Sequence, residues 1–312
     1  MKKLLWAALI LFASSPAMAE VEGVVSSIKP IHSLVENVLG DSGKSALIVT
    51  GNQSPHGYHL RPSEVKKLST ARVVFYIDDD FETFLVKPLS NLDKNVVRVP
   101  LVKAAGIPLL EARTSGTWEA HIHAGEEDAK HDEHEENDEH HAHEDMHVWL
   151  APENAIQMVG AIEKALSETY PAQAKTFHAN AAHTIKKLNA LDKKLRTTLK
   201  PVEGKPYIVF HDAFQYFEKA YGLTSVGSIT LSPEQAPSAK RIKEVRAKVS
   251  GLKAVCVFSE AQFSKRLVDS VMEGSTAKSR VLDEHGANIQ PGKDLYFILL
   301  SRIAERMESC LK

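Results

Sequence analysis

The sequence lacks any apolar run long enough to cross a membrane. Its one extended apolar run covers residues 4–12, and a membrane-spanning helix needs roughly 20 apolar residues. No later segment approaches that length. We therefore expect the mature protein to be soluble.

The N-terminus has the three parts of a secretory signal: lysines at 2–3, the apolar run, and small residues at 17–19. We expect cleavage after Ala19 and export. Cysteine is lacking there, because neither Cys256 nor Cys310 lies near the cleavage site. A lipid anchor on a new N-terminal cysteine is thus not expected, and the predicted location is the periplasm.

Only two cysteines, Cys256 and Cys310, occur in the whole chain. In an oxidising compartment two cysteines with no other partner favour one disulfide. Chain-entropy arguments give roughly 4 kcal/mol for a loop of about 54 residues. The alternative is a pair of unpaired buried thiols.

A basic patch is also lacking, and nucleic acid is not an expected partner. The chain has a formal charge of -2, yet residues 119–145 hold twelve acidic residues against one Lys. With only Trp118 and Ile122 as large apolar residues, the stretch of about 112–146 is expected to be disordered. It could be a solvated spacer, but we interpret it as a weak metal collector or sensor because it also contains seven histidines: His121, His123, His131, His134, His140, His141 and His143.

Elsewhere strand and helix patterns alternate, which predicts parallel sheets with helices on both faces. The predicted fold is α/β, with two lobes joined by a long rigid helix. The expected divisions are a signal peptide at 1–19, an N-terminal lobe at 20–170, a linking helix at 171–200 and a C-terminal lobe at 201–312. Residues 171–199 predict one helix with a single apolar stripe.

Metal-ligating side chains follow several predicted strands, where ligands bind in open parallel sheets. His56, His211 and Asp283 lie at or after such ends, and His147 lies where the ordered pattern returns. Imidazole nitrogens with at most one carboxylate favour Zn²⁺. His59, three residues after His56, could be a ligand or a solvent-facing residue.

The remaining histidines outside the acidic run have no partner at metal-ligand spacing. We interpret them as surface or hydrogen-bonded residues: His32, His178, His183 and His285.

Residues 143–147 match the H-E-x-x-H pattern of zinc peptidases, whose two histidines must share one face of a helix. The polar run before them and Pro152 after them argue against a helix. A zinc hydrolase is therefore a minor alternative.

The chain resembles the metal-binding subunits of ABC importers that have a rigid helix between their lobes, in particular the zinc-binding periplasmic ones. The resemblance covers the mature chain and rests on PHGYHLRPS at 55–63, the acidic histidine-rich run, MHVWLAPE at 146–153, FHDAF at 210–214 and the cysteine pair. It implies His56, His147 and His211 as zinc ligands. It also implies delivery of zinc to a membrane permease driven by a cytoplasmic ATPase.

Close relatives in that family can have Glu before the first ligand, where this sequence has Pro55. The fourth ligand is therefore open: Asp283 is preferred, then water, then His59 or a histidine of the acidic run. We expect a monomeric zinc carrier, not an enzyme, with zinc chaperones of the periplasm as further partners. Affinity should fall as the pH drops through about 6.5. The functions that compete with zinc carriage are manganese import, by a relative of the same transport family, and surface adhesion.

Overall fold

The computed structural model describes residues 20–113, 144–230, 237–251, 255–263 and 265–312. The predicted signal peptide and the seven histidines of the acidic run lie outside these residues. Among the described residues, none of the helices is long and apolar enough to cross a membrane.

The first sheet is parallel and has the strand order β2-β1-β3-β4. All four residues of β3 are buried, as expected for a parallel strand covered on both faces. Its strands are β1 (Val21–Ser26), β2 (Gly43–Leu47), β3 (Val73–Tyr76) and β4 (Val97–Pro100), and its helices are α1 (Lys29–Leu39), α2 (Pro62–Ser69), α3 (Thr83–Ser90) and α4 (Leu101–Ala105).

The second sheet is also parallel and has the order β10-β9-β7-β8. Neighbouring strands β7 and β9 pair through Tyr207 with Cys256 and Ile208 with Val257, which brings their carboxyl ends side by side. Its strands are β7 (Pro206–Val209), β8 (Thr224–Ser228), β9 (Cys256–Glu260) and β10 (Lys278–Leu282), and its helices are α7 (Gln215–Tyr221), α8 (Ala239–Gly251), α9 (Lys265–Met272) and α10 (Leu295–Leu311).

Along the sequence, two helices follow the first sheet and precede the second: α5 (Pro152–Thr169) and α6 (Ala174–Leu199). The 26 residues of α6 give a length of about 39 Å. It packs against α1 of the first lobe and α10 of the second, so it joins the two lobes as predicted. The predicted helix over 171–199 is confirmed, with a first turn at Pro171–Gln173 that is a 3-10 helix leading directly into α6.

One covalent bond ties the second lobe together. Cys256 at the start of β9 and Cys310 on α10 form a disulfide, with Cα atoms 5.9 Å apart. This confirms the predicted pairing and excludes the alternative of free thiols. The bond links an inner strand of the sheet to the last helix of the chain.

A short antiparallel ladder lies at the two ends of the region that was predicted to be disordered. β5 (Leu110–Glu111) pairs with β6 (Glu144–Asp145), and Met146 is buried. The predicted boundary at about 146 is therefore too late, because β6 and Met146 lie inside the predicted region, whereas β5 lies just before it. Sequence periodicity missed these elements because two-residue strands are too short to show an alternation.

Candidate metal centre

Three histidines from distant parts of the chain converge in one place. His56 lies in the loop between β2 and α2, His147 follows β6 by two residues, and His211 follows β7 by two. Nitrogen atoms of the three rings lie within 4.8 Å of one another. His147 and His211 are buried, and His56 is half-buried.

The spacing of the Nε2 atoms suits a tetrahedral metal. Nε2 of His147 lies 3.3 Å from Nε2 of His56 and 3.4 Å from Nε2 of His211. A tetrahedral ion with Zn–N bonds of 2.0–2.1 Å requires nitrogens about 3.3–3.4 Å apart, whereas right-angle octahedral bonds of that length give about 2.9 Å. The histidine cluster (His56, His147 and His211) thus has two Nε2–Nε2 distances that fit tetrahedral zinc.

Asp145 fixes the ring of His147. Its Oδ1 accepts hydrogen bonds from the backbone N of His147 at 2.9 Å and from Nδ1 at 2.8 Å. With the proton held on Nδ1, the lone pair of Nε2 faces the cluster. Asp145 is held in turn by the second lobe, because Gln215 donates to its Oδ2 and the hydroxyl of Tyr216 donates to its backbone O.

Glu260 does the same for His211. Its Oε1 lies 2.5 Å from Nδ1, and both side chains are about 1% exposed. Burial alone would lower the pKa of His211, but the charge and hydrogen bond of Glu260 outweigh it and raise this pKa to about 9. Burial and the charge of Glu284 raise the pKa of Glu260 to about 7, so the metal-free pair of His211 and Glu260 holds at least one proton beyond Nδ1–H at neutral pH. A metal at Nε2 of His211 must displace that proton.

Sequence reasoning missed both carboxylates. Glu260 is the last residue of β9 and contacts His211, so the strand-end position that selected Asp283 could also have selected Glu260. Asp145 gave no comparable signal, because it lay inside a run of twelve acidic residues and its strand was too short to predict.

Aromatic rings border the cluster on the first-lobe side. The ring of Phe81 lies edge-on to His56, with centroids 5.0 Å apart, and 5.1 Å from the centroid of Trp149. Trp149 lies 5.2 Å from His147. These apolar side chains lower the local dielectric constant and so strengthen the electrostatic attraction between the nitrogens and a cation.

The structure does not bring Asp283 into the histidine cluster. Asp283 directly follows β10 as predicted, but its Oδ1 accepts hydrogen bonds from three backbone N–H groups, those of His285, Gly286 and Ala287. This carboxylate therefore caps a turn, which is a structural role. Its placement does not support the expectation that Asp283 is the fourth zinc ligand. His59 is exposed and lies outside the cluster as well.

The other four described histidines differ in their surroundings. His178 and His183 on α6 are exposed, as expected of surface residues. His32 is buried with Nε2 on the backbone O of Ser45. His285 is also buried and stacks on Trp149, with centroids 5.8 Å apart.

The peptidase pattern at 143–147 has the wrong backbone. Glu144 and Asp145 are extended and paired with β5, so the helix that such a site needs is absent from the described part, residues 144–147. His147 instead pairs with histidines 91 and 64 residues away. The H-E-x-x-H match is thus a coincidence of a histidine-rich acidic sequence.

A half-buried arginine, two residues after β5, ties this part of the chain to the second lobe. Arg113 forms ion pairs with Asp212 and Glu218 and donates a hydrogen bond to the hydroxyl of Ser225. Asp212 is the neighbour of His211 in the chain. The two ends of the acidic histidine-rich segment are therefore fixed beside two members of the cluster, at Arg113 and at Asp145.

Comparison with known proteins identifies the family. The family described as zinc-uptake complex component A, periplasmic (ZnuA) matches residues 24–310. The high-affinity zinc uptake system protein ZnuA of Brucella abortus (strain 2308) is 42% identical over 316 residues, covering 96% of this chain and 95% of that protein. The protein of the same name from Yersinia pestis is 34% identical over 320 residues, covering 100% and 98%.

Solved structures agree in fold. A crystal structure of ZnuA is similar with a TM-score of 0.77 and 25% identity, over 93% of this chain and 98% of that one. The Zn(II)-bound ZnuA-like domain of Streptococcus pneumoniae AdcA is similar with a TM-score of 0.69 and 26% identity, over 92% and 98%. The chain therefore belongs to the family of periplasmic zinc-uptake component A proteins.

Proposed function

We propose that this chain is a periplasmic solute-binding protein that captures Zn²⁺ through His56, His147 and His211 and delivers it to an ABC permease driven by a cytoplasmic ATPase. The observation that carries the proposal is the spacing of 3.3 and 3.4 Å between the Nε2 atoms. Relatives at 42% and 34% identity are named high-affinity zinc uptake proteins. The family consists of binding subunits of importers, so the chain is not an enzyme.

Three neutral imidazoles would favour zinc over manganese, because manganese prefers more oxygen ligands. Asp145 and Glu260 keep the Nδ1 protons of two ligands in place, which leaves their Nε2 lone pairs for the ion. The same two carboxylates are buried close to the cluster and would offset the charge of a bound divalent cation. The manganese-binding alternative has no comparable support in these contacts.

Water is our proposed fourth ligand, in place of Asp283. His56 is the half-exposed member of the cluster, so solvent reaches the ion from that side. Asp283 already accepts three backbone hydrogen bonds, and its recruitment would leave those N–H groups without their acceptor.

The seven histidines between residues 114 and 143 are proposed to collect zinc weakly, as the composition indicates. Their segment begins after Arg113 and ends before Glu144, both of which belong to the folded region. Zinc gathered there would be released close to the cluster. We also propose cleavage after Ala19, a monomeric state, and exchange of zinc with chaperones of the periplasm.

Calorimetric zinc titration of four forms tests the proposal: wild type, His211→Ala, a deletion of residues 119–143, and His178→Ala. The deletion stops at 143 because Asp145 holds His147. The control removes a histidine on α6 whose side chain is 82% exposed. We expect the tightest site to be lost only in His211→Ala. A tight site that survives this change, or that disappears with the deletion, would show that the ligands are assigned incorrectly.

A further inference from the structure

Buried polar atoms without hydrogen-bond partners gather behind His211. Six side-chain atoms of the described residues are buried and unpartnered, and five of them belong to a group of neighbouring residues. The five are Oε2 of Glu260, Oε1 of Gln262, Oε2 of Glu284, and Nδ1 and Nε2 of His285. Since buried polar atoms are normally paired, such a concentration indicates a missing partner.

Two carboxylates form the centre of this group. The side chains of Glu260 and Glu284 are each about 1% exposed, and oxygens of both lie within 4.8 Å of each other and of a ring nitrogen of His211. Two negative charges so close in a buried place repel strongly, and a protonated His211 ring, which contacts Glu260, offsets only one of them.

Each carboxylate uses one oxygen for the protein and leaves the other unused. Oε1 of Glu260 contacts Nδ1 of His211 at 2.5 Å. Oε1 of Glu284 accepts from Nε2 of Gln262 at 3.4 Å and lies 3.0 Å from Nε2 of His285, an ion-pair contact without the direction of a hydrogen bond. The two Oε2 atoms and Oε1 of Gln262 remain as three buried oxygens without a donor.

We propose that Oε2 of Glu260, Oε2 of Glu284 and Oε1 of Gln262 form a second, inner site for a divalent cation. Ligation through these oxygens leaves the contact between Glu260 and Nδ1 of His211 intact. An all-oxygen set favours a hard cation of the Mn²⁺ or Mg²⁺ class. The inner oxygen site therefore differs in metal preference from the nitrogen ligands of the histidine cluster, and it does not depend on the function proposed above.

The two sites would oppose each other. Glu260 belongs to the inner oxygen site and also holds His211, so a cation at one site raises the positive potential at the other. Coupling of this kind is reciprocal. Mn²⁺ at the inner oxygen site would weaken zinc binding by the factor by which zinc weakens Mn²⁺ binding.

Mn²⁺ binding measured by electron paramagnetic resonance tests the inner oxygen site, with the full chain and Mn²⁺ alone as the probe. The starting protein is His56→Ala, in which the histidine cluster is broken. Glu284→Gln is then added to remove an inner ligand. Glu64→Gln is the matched control, since Glu64 is another buried carboxylate and accepts from the hydroxyl of Tyr58 at 2.7 Å. Weak binding by residues 114–143 is common to all forms and cancels.

We expect His56→Ala to bind Mn²⁺, and Glu284→Gln to remove about one bound Mn²⁺ per chain, while Glu64→Gln removes none. Gln262→Ala, at a half-buried turn position, provides a variant that keeps both carboxylates and should weaken Mn²⁺ binding. If Glu284→Gln and Gln262→Ala bind as much Mn²⁺ as the His56→Ala protein, the proposal is overturned. Ordered water or a shared proton between the carboxylates would then account for the unpartnered oxygens. Zinc titration of the same variants reports separately on the histidine cluster.

Discussion

Zinc binding should release a proton from His211, and Glu260 should be the cause. The pKa of this ring is raised to about 9 in the metal-free protein, so at pH 7.5 its Nε2 carries a proton almost all the time. Zinc takes that nitrogen and leaves Nδ1–H on Glu260. Binding at pH 7.5 therefore releases about one proton from this residue, at a cost of about 2 kcal/mol, or a factor of about 30 in affinity.

Glu260→Gln removes the charge that holds this proton but keeps an oxygen that accepts from Nδ1–H. The pKa of His211 should then fall, because burial lowers it and the carboxylate no longer compensates. In Glu260→Gln, zinc affinity would change through two opposing effects. Zinc no longer has to displace a proton from His211, which strengthens binding, but a negative charge beside the ion is lost, which weakens it. The number of released protons isolates the first effect.

The assay is calorimetry in buffers of different ionisation enthalpy, which gives protons released per zinc bound. At pH 7.5 the wild type should release about one proton more than Glu260→Gln. The logarithm of wild-type affinity should also rise with pH up to about 9, beyond the value of about 6.5 expected for an unperturbed histidine. Glu64→Gln should behave as the wild type. Equal proton release from the wild type and Glu260→Gln would refute the reasoning.

Three further outcomes follow from the contacts. Asp145→Asn replaces the carboxylate that accepts from Nδ1–H of His147 by a neutral amide. It should weaken zinc binding about 10- to 100-fold in a competitive chelator titration. Unchanged zinc affinity would show that the carboxylate charge does not act on His147. Arg113→Met leaves two buried carboxylates without their cation and should lower the free energy of unfolding by about 3–5 kcal/mol in urea, whereas exposed Arg280→Met should change it little. Reduction of the disulfide should lower the free energy of unfolding by about 2–5 kcal/mol. Zinc affinity should not change, because the bond lies at the start of β9 and Glu260 lies at its end. A loss of zinc affinity on reduction would contradict this reasoning.

Strand and helix order could be predicted from the sequence because most elements carry a clear apolar period. The strands around Val73 and Tyr207 are short buried runs flanked by helical patterns. Errors were largest where tertiary contacts decide the conformation. β5 and β6 are held by each other and by Tyr216, whose hydroxyl accepts from Leu110 N and donates to Asp145 O. Nothing local in the sequence reports those bonds.

The three histidines of the cluster could be proposed from strand ends and from family resemblance, but not the groups that orient them. Glu260 contacts a residue 49 positions away, and such a pair becomes visible only when β7 and β9 are known to be neighbours. Asp283 shows the opposite failure: its position after β10 was predicted correctly, yet its oxygen faces the backbone of the following turn. Strand-end position places a side chain near the site without fixing its direction.

Anomalous diffraction at the zinc edge from zinc-loaded crystals tests the central claim most directly. The strongest peak should lie about 2.0–2.1 Å from Nε2 of His56, His147 and His211, with Nδ1 of His147 still on Asp145 and Nδ1 of His211 still on Glu260. A strongest peak elsewhere, on residues 114–143 or between Glu260 and Glu284, would contradict the assignment of the histidine cluster as the zinc site.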